Sequence, residues 1–115
     1  MNSKRGGVTL KTEDGEIQVR ISVNAMVRYQ DLTNESFLDG ISALQTNQSD
    51  VRRMRNLFWA GVSDVEGMTP DTAGDIMDDV GFAVALEKVS EAAVLAFPED
   101  KKTGNSKAGK PPAKA

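Results

Sequence analysis

A chain of 115 residues with 39% hydrophobic side chains, 27% charged side chains and a net charge of −3 has room for one compact domain and not for two. It contains neither histidine nor cysteine. That removes imidazole acid–base chemistry, thiolate nucleophiles, zinc and iron–sulfur ligation by those residues, and any disulfide scaffold. The charge is uneven, because residues 1–97 carry nine basic and fifteen acidic side chains whereas 98–115 carry five lysines against Glu99 and Asp100.

The first patterned stretch alternates. Val8 and Leu10, then Ile17, Val19, Ile21 and Val23, are apolar, with Lys11, Gln18, Arg20 and Ser22 between them. Period 2 is the signature of strands with one wet face. Asp14-Gly15 between the two runs is a favoured two-residue hairpin connection, so a β-hairpin is predicted over residues 7–23. Two strands alone are marginal in water, and their apolar face needs a cover of helices.

Five helices follow in the reading. Asn24 is placed to cap one carrying Ala25, Tyr29 and Leu32 on a single face, and Asn34 to cap the next, with Phe37, Leu38, Ile41 and Leu44. Ser49 or Asp50 opens a third that runs to about Val62. Thr69-Pro70 is a capping residue followed by proline at the first helical position, and this fourth helix ends near Val80, before Gly81. The fifth spans about Phe82 to Phe97. The expected fold class is α+β, mainly α: one domain over residues 1–97 with the hairpin packed on a bundle of about five helices. Residues 98–115, rich in Lys, Pro and Ala with nothing to bury, are expected to form a disordered tail.

Helical projection sorts the faces. In the fourth helix Ala73, Ile76, Met77 and Val80 oppose an acidic stripe of Asp71, Asp75, Asp78 and Asp79, either a solvated face or a docking surface for a basic partner. In the third, Val51, Met54, Leu57, Phe58, Gly61 and Val62 form the apolar face, and Trp59 projects away from it between Arg52 and Arg55. Arg55 and Trp59 stand at i,i+4, a spacing suited to cation–π contact. Trp59 either packs against the hairpin from a second side or, with Arg52 and Arg55, forms an anchor offered to another chain. In the fifth helix Phe82, Ala85, Leu86, Val89, Ala92, Ala93, Ala96 and Phe97 form one wide face, and Val84 and Leu95 sit together on the far side, beside Lys88 and Glu91. That second strip marks self-association or partner binding.

No phosphate-binding loop, dinucleotide fingerprint or nucleophile elbow occurs. The run from Asp64 departs from a calcium loop at its fifth, sixth and twelfth positions, which are Met68, Thr69 and Asp75. No enzyme, metal or cofactor is expected. Residues 70–97 have the outline of a helix-turn-helix, but the would-be reading helix offers only Lys88 as a cation and its neighbour presents four aspartates to a polyanion. No window is long and apolar enough to span a bilayer, and a cytoplasmic address is expected.

The order of the segments VTLKTEDGEIQVRISVNAMVRYQ, RRMRNLFWAGV and MTPDTAGDIMDDVGFAVALEKVSEAAVLAF, followed by a Lys/Pro/Ala tail, resembles the tail assembly chaperones of siphophages and gene transfer agents. The likeness spans about residues 8–97, with the segment from Asn34 to Gln48 outside it. It implies a non-enzymatic protein of the infected cell's cytoplasm, absent from the finished virion, which binds the tape measure protein and recruits tail tube subunits; the apolar strips read above add self-association. On this reading Arg52, Arg55, Trp59, Val84 and Leu95 are the candidate partner-binding residues. The alternatives are a small DNA-associated regulator using the helix-turn-helix-like segment, and a structural head–tail component.

Overall fold

In the computed structural model, residues 7–97 are described; the expected tail at 98–115 lies outside them. Strands β1 (Gly7–Thr12) and β2 (Gly15–Arg20) form a two-stranded antiparallel sheet, and helices α1 (Val23–Thr33), α2 (Phe37–Thr46), α3 (Val51–Val62), α4 (Pro70–Val80) and α5 (Phe82–Ala96) follow. The architecture is mainly α, a hairpin packed on five helices.

Val8 pairs with Val19 and Leu10 with Ile17, so the alternation puts all four on one face. The connection differs from the expected Asp14-Gly15. Thr12 pairs with Gly15, leaving Glu13 and Asp14 at the tip, and the positive φ falls on Gly15 at 126° and not on Asp14. The Thr12 hydroxyl closes the turn by donating to the Gly15 carbonyl at 2.8 Å and accepting from the Asp14 N–H at 3.2 Å. Far along the chain, Asp79 Oδ2 accepts the Glu13 N–H at 3.1 Å and ties the turn to α4.

The strand pattern also runs out earlier than predicted. Ile21 is buried, but Val23 is 70% exposed because it is the first residue of α1, and Ser22 rather than Asn24 is the cap, its hydroxyl accepting from the Ala25 N–H at 3.0 Å. Asn34 likewise does not open α2. It closes α1 in the left-handed conformation, at φ 65°, which Asn tolerates better than most residues, and Ser36 caps α2. Asp50 and Thr69 cap α3 and α4 as read, and α4 and α5 end within one residue of expectation. A single residue, Gly81, separates α4 from α5.

Helix α3 is the hub, in contact with β2 and with each of the other four helices. Leu57, Phe58, Ala60 and Val62 are fully buried, and Met54 nearly so. Val51, assigned to the apolar face, is 53% exposed at the start of the helix, and Asn56 is buried in its place. Gly61 permits the approach to the sheet: a Cβ there would lie 2.9 Å from Val19 Cγ1. At the end of α3, Asp64 gathers Arg28 at 2.7 Å and Arg20 at 3.5 Å, joining α1 and β2. Leu32, Leu38 and Phe82, read as face residues of their helices, are between 43% and 49% exposed. No helix among the described residues is long and apolar enough to cross a membrane.

Candidate functional site

The five candidate residues fall in separate places. Arg52 is exposed and lines a hollow of about 300 Å³ with Tyr29, Leu32, Glu35, Arg53 and Asn56. Arg55 points the other way, toward α4. Its stem lies against Gly74, where a Cβ would come 3.3 Å from Arg55 Cδ, and its guanidinium donates to Asp71 at 3.3 Å and to Asn56 Oδ1 at 3.4 Å. The guanidinium therefore serves the α3–α4 contact. Trp59 is half-buried against the core, and its indole N–H reaches toward the Met68 carbonyl at 3.5 Å, across the segment joining α3 to α4. Val84 and Leu95 are 39% and 45% exposed on α5, with Val94 exposed beside Leu95.

The acidic stripe of α4 faces outward as projected, and two of its members have work within the fold: Asp71 with Arg55 and Asp79 with the hairpin turn. Between α3 and α4 an open groove of about 460 Å³ is floored by Val51, Met77 and Phe82 and edged by Arg55, Asp71, Asp75 and Asp78. A second groove, of about 310 Å³, runs between α2 and α5. Ile41, Leu44, Met54, Leu57, Leu86 and Val89 line it, with Gln45, Gln48 and Ser90 at its edge. This is the more apolar of the two, and its rim is neutral. Sequence periodicity shows Ile41, Leu44, Leu86 and Val89 as core-facing, but the gap left where α2 and α5 meet depends on how the helices are set.

One cluster escaped the sequence reading altogether. Tyr29 is fully buried, and its hydroxyl donates to Glu35 Oε2 at 2.5 Å. Arg53 grips the same carboxylate with two bonds, Nε to Oε2 and Nη2 to Oε1, each 3.0 Å, and reaches Asp50 Oδ2 at 2.7 Å with Nη1. The two-pronged Arg53 contact, then the Tyr29 hydroxyl, hold the Glu35 carboxyl below the usual carboxylate range. Burial, reinforced by Glu35, pushes the Tyr29 phenol above its ordinary value. Gly40 makes room: a Cβ on α2 there would stand 2.9 Å from Tyr29 Cζ. Tyr29 also meets Phe37 edge-on, ring centroids 5.6 Å apart. Every charged group in the cluster has a partner, so its chemistry is that of a structural clamp joining α1, α2 and α3.

Among the described residues no group of three or more acidic side chains converges to hold a metal ion. Comparison with known proteins finds no matching family model, no matching curated protein and no matching solved structure.

Proposed function

We propose that the chain is a non-enzymatic assembly chaperone of the phage tail type, which binds the tape measure protein and brings tail tube subunits to it. The observation that carries the reading is the apolar groove between α2 and α5. It is open, lined by six aliphatic or methionine side chains, and edged by neutral amides and a hydroxyl. A trough of this kind accepts successive apolar side chains of an extended helical client. Its modest size suits a client that must later be released, since affinity follows the surplus of burial over ordering cost.

The DNA-associated alternative loses ground on geometry as well as charge. Only Gly81 joins α4 to α5, where the DNA-binding motif uses a turn of about three or four residues. The exposed side of α4 is acidic.

Co-expression with the tape measure and tube proteins, then purification and mass measurement, tests the proposal. The expected result is a soluble complex of this chain with the tape measure protein and its absence from finished particles. Leu44→Gln is expected to lower recovery of that complex while leaving the melting temperature within a few degrees. Retention of this chain in purified particles would instead indicate the head–tail component. Tight binding of duplex DNA at low salt by a chain ending at residue 97 would overturn the proposal.

A further inference from the structure

The second apolar strip of α5 has a symmetry of its own. Val84, Lys88, Glu91 and Leu95 follow a spacing of four, three and four residues, which is the d-a-d-a seam of a coiled coil. The outer pair and the inner pair share one midpoint, between Val89 and Ser90. A two-fold axis through that midpoint, perpendicular to the helix, therefore sets Val84 of one chain opposite Leu95 of another and Lys88 opposite Glu91, each contact made twice. Antiparallel helices present a positions to d positions across the seam, as this arrangement requires.

The structure leaves the strip available among the described residues. Val84 and Leu95 are 39% and 45% exposed, and the side chains of Lys88 and Glu91 keep 27% and 46% of their surface open. Within one chain Lys88 Nζ and Glu91 Oε1 stand 4.0 Å apart, at the limit of an ion pair. Each charge is thus weakly engaged at home and able to take a partner across the axis.

We infer that a second copy of this chain docks on α5 through an antiparallel, two-fold pairing of this strip, apolar at its two ends and crossed by two reciprocal Lys88–Glu91 ion pairs at its centre. The contact is self-complementary, as a closed two-fold interface must be. It spans about 16 Å of helix, from the rise per residue, which is too short to bury the roughly 1,200–2,000 Å² of a stable complex. The dimer is therefore weak and concentration-dependent. This inference stands apart from the chaperone reading, since a dimer is compatible with any client.

Charge exchange in the full chain tests it by sedimentation equilibrium over a wide concentration range. Lys88→Glu alone sets Glu against Glu across the axis, and Glu91→Lys alone sets Lys against Lys, so each variant is expected to remain monomeric. The two variants mixed, or both changes in one chain, restore opposite charges and are expected to recover the wild-type association. Because the chain has no cysteine, a covalent readout is also clean. Val84→Cys mixed with Leu95→Cys should oxidise to a mixed dimer faster than either alone, since 84 opposes 95 and not itself. A monomeric wild type at every concentration, single charge variants that associate as wild type does, or homodimeric cross-linking as fast as the mixed reaction would each overturn the inference.

Discussion

Tyr29, Glu35 and Arg53 show at the level of single residues how a buried hydroxyl is kept satisfied. The phenol cannot reach water, and the carboxylate it donates to is held in place by the fork of Arg53. The sign of the pH effect follows from the lowered Glu35 value. A carboxyl depressed in the folded state contributes stability that is fully present above its ordinary value of 4.5 and is lost as pH falls through the folded value. Glu35→Gln is therefore expected to be less stable than wild type at pH 7, with the difference narrowing below about pH 4.5. Urea unfolding at pH 7 and in the acid range measures this, and a gap independent of pH would refute it. None of this was visible in the sequence. Periodicity marks Tyr29 only as one of three positions on a helix face, and Glu35 and Arg53 stand 18 residues apart, so only the packing of α1, α2 and α3 brings them together. The capping errors have a different origin. Ser22 and Asn24, and Asn34 and Ser36, are chemically competent caps two residues apart, and local composition does not choose between them.

At the scale of elements, the clearest device is the tether between the hairpin tip and α4. Asp79 accepts the Glu13 backbone N–H, and its carboxyl group, first by hydrogen bonding to the Glu13 carboxyl and then by repelling its charge, raises the Glu13 value. The backbone bond and the charge repulsion can be separated by mutation. Asp79→Ala removes the acceptor and is expected to cost up to about 1 kcal/mol, the usual net worth of such a bond. Asp79→Asn keeps an oxygen acceptor and relieves the repulsion, so it is expected to stay within about 0.5 kcal/mol of wild type. Equal losses in the two variants, by thermal unfolding, would mean that the tether contributes nothing. The acidic stripe itself was legible from periodicity in α4, but its two internal duties were not, because both partners lie on other elements. Trp59 and Arg55 make the same point: an i,i+4 spacing permits a contact, yet Arg55 goes to Asp71 and the Trp59 indole leans toward Met68.

For the molecule as a whole, α3 is the element on which the rest is assembled, and Gly61 is where it meets the sheet. Gly61→Ala places a methyl group against Val19 and is expected to destabilise the domain by about 1–3 kcal/mol, as overpacking of a filled core does. A denaturation midpoint equal to wild type would show that the sheet can retreat freely. Hairpin, helix order, and most element boundaries were readable from the chain alone, because they follow from the period of apolar residues and from Asp50, Thr69-Pro70 and Gly81, all of which act within a few residues. The paths of the helices past one another were not readable. Which apolar residues end up half-covered, as Leu32, Leu38 and Phe82 do, where α2 and α5 part to leave a groove, and which arginine meets which carboxylate are settled by contacts between residues far apart in the chain. Local pattern determined the parts of this protein, and tertiary packing decided its surface, since what a side chain faces depends on the neighbour that arrives from elsewhere in the sequence.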